Sequence, residues 1–319
     1  MFHVGVDLGG TNIKVGVVND NFEIIGRARL KTNCPRPAEE IVDDMALAVK
    51  MAVEDAGLKM EDISSVGVGS PGSVNPYTGF IATSNNLGFA NLPMVDLLKE
   101  RLNFDCYLEN DANSAAYGEF LAGAGKGTTT FVAVTLGTGV GGGIIIDNKL
   151  FSGGNLAGGE IGHTVISVGG EQCTCGRKGC WEAYASATAL IRQTKKAMEE
   201  DRNSKMWEIA EGSLENVNGQ TAFDGMRAGD DAAKQVVDKY IEYVSCGIAN
   251  VINVIQPDVL CISGGISYEG DTLLLPIRKL VSEQIFSINI EKQTKVQIAK
   301  LGNDAGIIGA ANLYRLYQK

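Results

Sequence analysis

Between Glu160 and Glu182 the chain gathers His163, Cys173, Cys175 and Cys180 into one short segment, reading E-I-G-H, nine residues, then C-T-C-G-R-K-G-C-W-E. Three thiols and an imidazole match the shell of a tetrahedral zinc ion, and a metal bound there would add folding energy to the loop it closes. Gly176 and Gly179, between the ligands, let the backbone turn tightly enough for the sulfurs to converge. Two other readings suit the same residues: small buried thiols, and redox chemistry at Cys173 and Cys175. The C-x-C-x4-C spacing also departs from the commoner C-x2-C finger pattern. The whole chain has only two histidines, His3 and His163, and one lies beside the cysteines, which favours metal. With Glu160 and Glu182 at its ends, the segment offers a histidine and two carboxylates as a recognition surface for hydroxyl groups.

A chain of 319 residues is long enough for two domains with substantial cores. Its 38 acidic against 28 basic side chains argue against non-specific nucleic-acid binding, which needs a concentrated basic surface. No apolar run approaches a bilayer span, and the N-terminus enters a strand-like segment with no signal-peptide pattern. A cytoplasmic location without a membrane partner is therefore expected. The other cysteines, Cys34, Cys106, Cys246 and Cys261, are scattered and expected to pack as reduced thiols.

From Val4 to Arg29 the pattern is strand, glycine turn, strand, polar turn, strand, with L-G-G-T-N as the first turn. Such a turn presents several backbone N–H groups that can cradle a phosphate. Asp7 is placed to hold a metal ion or its water near that phosphate, and Thr11 and Asn12 can add hydrogen bonds. Lys14 can add a charge, unless strand alternation points it elsewhere. The run F-V-A-V-T-L-G-T-G-V-G-G-G-I-I-I-D, from Phe131 to Asp147, repeats the plan. Two halves with related geometry facing one nucleotide, or a chance likeness of two glycine-rich hairpins, both account for this. Gly137, Gly139 and Gly142 satisfy G-x-G-x-x-G, but a strand-like run follows where a dinucleotide fold needs a helix. Gly125-Lys126 resembles the end of a phosphate-binding P-loop, yet Gly127 stands where Ser or Thr must hold magnesium.

In Y-L-E-N-D-A-N-S-A-A, a β-rich run stops at Asn110-Asp111 and helix-favouring alanines follow. Asp111 at this junction suits a helix N-cap, a catalytic carboxylate, or both. Apolar spacing predicts a long buried helix from Asp230 to Gln256, stopped by Pro257. The following V-L-C-I-S-G-G-I predicts a buried strand entering a turn at Gly264-Gly265, either a plain turn or a close approach to a flat ligand such as adenine. The run D-A-G-I-I-G-A-A from Asp304 predicts a small-residue helix able to pack tightly.

The segments Asp7–Thr11, Glu109–Asn113, Thr135–Gly143, Glu160–His163, Cys173–Glu182 and Ser263–Ile266 together resemble the ROK family of sugar kinases and sugar-responsive repressors. They stand in the family's order and span essentially the whole chain, and the cysteine segment is the most specific of them. Within the family the chain is most similar to the bacterial ATP-dependent glucokinases. The resemblance implies an α/β fold of two ribonuclease H-like (actin-like ATPase) domains around a cleft, with a zinc-bound loop. It implies a small domain of residues 1–110 plus 303–319 and a large one of residues 111–302 carrying the zinc site. It also implies phosphorylation of glucose at the C6 hydroxyl by ATP with Mg2+, with Asp111 as catalytic base. Sugar contacts fall on Asn110, Asp111, Glu160, His163 and Glu182. Nucleotide contacts fall on Asp7, Gly9, Gly10, Thr11, Asn12, Thr138, Gly139, Gly264 and Gly265, and Zn2+ falls on His163, Cys173, Cys175 and Cys180. A homodimer or homotetramer is implied in the same way. The alternatives are a kinase for N-acetylmannosamine, N-acetylglucosamine or fructose, or a non-catalytic sugar sensor. The repressors carry a DNA-binding domain ahead of the first hairpin, and with that hairpin starting at Val4 no such domain is expected here.

Overall fold

The computed structural model describes residues 1–318. The chain opens with β1 (Phe2–Leu8), β2 (Asn12–Val18), β3 (Ile24–Lys31), α1 (Ala38–Asp55), β4 (Ile63–Ser70), β5 (Ser73–Asn75), β6 (Phe80–Ser84) and β7 (Phe89–Leu92). There follow α2 (Met94–Leu102), β8 (Cys106–Asn110), α3 (Asp111–Ala122), β9 (Phe131–Leu136), β10 (Val140–Ile146), β11 (Lys149–Leu150), α4 (Glu182–Ala185) and α5 (Ala187–Glu200). The rest comprises α6 (Met206–Ile209), α7 (Thr221–Arg227), α8 (Asp231–Ile255), β12 (Val259–Ser263), α9 (Asp271–Gln284), β13 (Lys295–Ile298), α10 (Ala305–Ala311) and α11 (Tyr314–Tyr317).

Two five-stranded sheets share one strand plan. The first runs β3-β2-β1-β4-β8 and the second β11-β10-β9-β12-β13, so each has an antiparallel hairpin on one side and parallel strands on the other. The repeat expected from the two glycine hairpins is thus present in the strand order. A strand follows G-x-G-x-x-G, which disposes of the dinucleotide fingerprint.

Alternation in V-G-V-D-L decides what covers the first sheet. Val4, Val6 and Leu8 are buried on the face where α1 lays down Ile41, Met45 and Val49. Gly5 lies on the opposite face, where a Cβ would stand 1.9 Å from the carbonyl oxygen of Ile307 in α10. The small-residue helix expected from Asp304 onward is α10, and it also packs hard on α3. A Cβ at Gly309 would lie 1.7 Å from the Ser114 carbonyl oxygen.

The compact units are Met1–Val132, Gly143–Gly159 and the chain from Lys300 on, and separately Ala133–Gly142 with Glu160–Ala299. This division departs from the expected 1–110 plus 303–319 and 111–302. The reason is α3, which stays with the first unit through α10 and through Glu119. That buried carboxylate accepts the N–H groups of Ala124, Lys300 and Leu301 at 2.8, 3.1 and 2.6 Å.

The long helix appears as α8. The Asp230 side chain caps it by accepting from the Ala233 N–H, and Gln256 ends it in the left-handed region, φ 46°, just before Pro257. Among the described residues no helix is long and apolar enough to cross a membrane.

Candidate active site

Strand register brings Asp7 and Lys14 together. They are partners across β1 and β2, and Lys14 Nζ donates to Asp7 Oδ2 at 3.1 Å. The direction of Lys14, open from the sequence, is therefore toward Asp7. The turn beyond is held at both ends: Gly9 N–H donates to the Asn12 carbonyl at 2.9 Å, and Thr32 Oγ1 donates to the Gly9 carbonyl at 2.6 Å. Gly10 and Thr11 at its tip stay exposed. Arg29 Nε donates to Asn12 Oδ1 at 3.2 Å, so the Asn12 amide turns its donor end, Nδ2, away from the arginine. Neither Thr32 nor Arg29 carries a signal in the sequence, since only strand pairing brings them to the turn.

At the strand-to-helix junction the cap is Asn110, not Asp111. Asn110 Oδ1 accepts from the N–H groups of Ala112 and Asn113 at 2.9 and 3.2 Å, and its Nδ2 donates to the Gly72 carbonyl at 3.1 Å. Asp111 becomes the first residue of α3, partly buried, with Oδ1 accepting from the Ala112 N–H at 2.9 Å. Burial raises its pKa above the usual carboxylate range, and the negative charge of Asp7 pushes the same way. Among the described residues no cation is paired with it. Glu109 supports the junction from inside. Its Oε1 accepts from the Asn110 N–H and from Asn113 Nδ2 at 2.7 and 3.0 Å, and its Oε2 accepts from the Tyr317 hydroxyl. Tyr317, two residues from the last residue of the sequence, could not be tied to this junction by sequence.

The cysteine segment does converge. His163 Nδ1 lies 3.7 Å from Cys173 Sγ, Cys175 Sγ lies 3.7 Å from Cys180 Sγ, and all four donor atoms lie within 4.8 Å of one another. A tetrahedral ion with sulfur bonds of about 2.3 Å has S···S edges of roughly 3.8 Å, so the donor set fits one such ion. Burial pushes the Cys180 thiol up to about 12, whereas the Arg177 N–H lowers the exposed Cys175 thiol. Gly179 makes the convergence possible: its φ is 81°, and a Cβ would stand 1.7 Å from the Ser167 carbonyl oxygen. With Nδ1 turned to the sulfurs, His163 keeps Nε2 on the other side of its ring. Glu160 is exposed, one short turn ahead of His163, whose N–H donates to the Glu160 carbonyl at 3.1 Å.

Glu182 faces two ways. Oε1 accepts from Thr174 Oγ1 at 3.1 Å, and Oε2 accepts from the Val140 N–H at 3.1 Å. The second glycine turn is thus held by residues that follow the cysteines. Ala187 N–H donates to the Gly137 carbonyl, and Thr188 Oγ1 to the Thr138 carbonyl, both at 2.8 Å. Near the same strands, Gly264 has φ 86° and packs on Leu136, where a Cβ would stand 2.3 Å from the carbonyl oxygen. Gly265 is exposed, with open space where a side chain would begin.

The site residues therefore form two groups. Asp7, Gly9, Gly10, Thr11, Asn12, Asn110 and Asp111 belong to the first compact unit, and Thr138, Gly139, Glu160, His163, Cys173, Cys175, Cys180, Glu182, Gly264 and Gly265 to the second. Within the first, the charge of Asp7 reaches Asp111. Within the second, Glu182 ties the cysteine loop to the glycine turn.

Known proteins resemble this chain along its whole length. The chain is 36% identical over 315 residues to a glucokinase of Halalkalibacterium halodurans, covering 98% of this chain and 95% of that one. It is 35% identical to a glucokinase of Thermotoga maritima, covering 98% and 96%. A ROK family glucokinase from Streptomyces griseus, solved in complex with glucose and AMPPNP, superposes with a TM-score of 0.82 at 34% identity and 99% coverage of both chains. The ROK family profile matches residues 3–316, and with the cysteine loop, the two glycine hairpins and the Asn110-Asp111 junction in place, the chain belongs to the ROK family.

Proposed function

We propose that this protein transfers the γ-phosphoryl group of ATP to the C6 hydroxyl of glucose. The observation that carries the reading is Asp111: a partly buried carboxylate at the carboxyl end of a strand, with raised proton affinity and, among the described residues, no cation paired with it. Phosphoryl transfer needs in-line placement and charge neutralisation more than covalent help. Asp111 would accept a hydrogen bond from the C6 hydroxyl, aim its oxygen at the γ-phosphorus and take the proton as the new bond forms. The hydroxyl oxygen then bonds to phosphorus, the bond to the β-phosphate oxygen breaks, and ADP leaves.

Asn110, Glu160, His163 and Glu182 would hold the other sugar hydroxyls, His163 through Nε2. The N–H groups of Gly9, Gly10, Thr11 and Asn12, with Thr138 and Gly139, would bind the phosphates, and Asp7 would hold the magnesium or its water. The exposed backbone at Gly264-Gly265 suits the flat face of adenine. Magnesium carried with the nucleotide would neutralise phosphate charge. Zinc on His163, Cys173, Cys175 and Cys180 would stiffen the loop and fix the direction of the imidazole. Cytoplasmic action and assembly as a homodimer or homotetramer belong to the same reading.

A coupled ADP-release assay with magnesium-ATP tests it across glucose, mannose, fructose, N-acetylglucosamine and N-acetylmannosamine, on protein of known zinc content. Glucose-selective turnover is expected. Turnover on another sugar would keep the mechanism and change the substrate, and silence toward every sugar by zinc-loaded protein would overturn the reading.

A further inference from the structure

The stretch that follows Cys180 is anchored on both sides. Trp181 is fully buried against α8, where it lies so close to Gly247 that a Cβ there would stand 2.0 Å from the indole, and its Nε1 donates to the Tyr243 carbonyl at 2.9 Å. The next residue, Glu182, takes Thr174, which lies between two of the cysteines, on one oxygen and the Val140 N–H on the other. Ala187 and Thr188 then hold Gly137 and Thr138. Three hydrogen bonds thus run from residues 182–188 onto residues 137–140. Gly139 is the opening that admits the Glu182 carboxylate, since a Cβ there would stand 2.3 Å from Glu182 Oε2.

We propose that Glu182 and Thr188 are positioning residues that couple metal occupancy at His163, Cys173, Cys175 and Cys180 to the shape of the turn Gly137–Val140, so that metal and nucleotide each strengthen the binding of the other. The inference rests on the reading of that turn as a nucleotide phosphate site. Its physical basis is the bridging carboxylate. When the cysteine loop is ordered, Thr174 fixes Oε1, and the rigid carboxylate group then fixes Oε2 against Val140. When the loop loosens, the Val140 N–H loses a partner that no other group in the turn replaces, and the turn is left to the Ala187 and Thr188 bonds alone. Glu182 keeps acceptor capacity for a sugar hydroxyl, because a carboxylate offers about four lone-pair positions. Coupling of this kind is reciprocal: whatever factor the metal adds to nucleotide affinity, the nucleotide adds to metal affinity.

The test follows metal release, not turnover. Zinc-loaded full-length protein is mixed with a chromogenic chelator, with and without saturating magnesium-AMPPNP, and the release rate is read from absorbance. Binding of AMPPNP is measured separately by calorimetry. We expect the nucleotide to slow release by about five-fold or more. In Thr188→Val, nearly the same size and without the donor, that ratio should fall toward one while zinc content and far-UV circular dichroism stay as in the wild type. Thr188→Ser, which keeps the hydroxyl, should restore it. Equal release rates with and without nucleotide, in wild-type protein that binds AMPPNP, would overturn the coupling alone. Failure of zinc-loaded wild type to bind AMPPNP would overturn the nucleotide reading and the coupling with it.

Discussion

The carboxylate of Asp7 raises the proton affinity of Asp111, adding to the larger effect of burial. Asp7 lies in β1 and Asp111 directly follows β8, with β4 between the two strands in one sheet, so on the proposed reading the charge assigned to the phosphate side also tunes the assigned base. Because Asp111 must be ionised to take a proton, its raised pKa places the acid limb of kcat/KM above the ordinary range of an aspartate. Asp7→Asn removes the like charge. The acid limb should then move to lower pH even though overall activity falls, and a limb that stays in place would remove Asp7 from this account.

Asp111→Asn separates catalysis from stability. Loss of the proton acceptor should lower kcat by about 10²–10⁴-fold, with glucose binding by calorimetry largely retained. The folded-state pKa of Asp111 is raised above its unfolded value, so ionisation costs stability at neutral pH and the cost fades as pH falls through the folded pKa. The variant should therefore melt about 1–2 °C higher than wild type at pH 7.5, with the gap closing near pH 4. A lower Tm at pH 7.5 would show that Asp111 is held by favourable contacts instead.

Features written in local sequence were legible. Glycine turns between β-branched runs gave both hairpins, helical spacing with Pro257 gave α8, and the cysteine spacing gave four donors that do converge. Features that depend on which strands pair were not. Lys14 points at Asp7 because of the β1–β2 register, and Arg29 reaches Asn12 from β3, neither of which a linear pattern carries. The choice of cap at α3, open from the sequence at Asp111, falls one residue earlier at Asn110 for a related reason. Asn and Asp are about equally good caps, and only the backbone geometry at the end of β8 decides between neighbours. The hold of Glu119 on Lys300 and Leu301, which keeps α3 with the first compact unit, spans some 180 residues of sequence, and no local pattern carries it.

Asn110→Ala tests that cap. The substitution leaves the N–H groups of Ala112 and Asn113 without the Asn110 acceptor and should cost about 1 kcal/mol in urea unfolding. Asp111→Ala should cost less, because Asp111 takes only the Ala112 N–H, which Asn110 Oδ1 also accepts. Equal destabilisation by both variants would mean that the two residues share the cap.

Gly309→Ala probes the closest helix contact in the first unit. An added methyl at Gly309 would need to occupy the space of the Ser114 carbonyl oxygen, 1.7 Å away, and the contact atom is backbone, which cannot swing aside. The helices must separate, which draws α3 away from α10 and disturbs the junction at Asp111. Overpacking of this kind typically costs about 1–3 kcal/mol and should appear as a lower urea midpoint with an unchanged m-value. Since Asp111 is the first residue of α3, kcat should fall with it, while KM for ATP responds less. A midpoint equal to wild type would mean that α3 and α10 do not hold this spacing in solution.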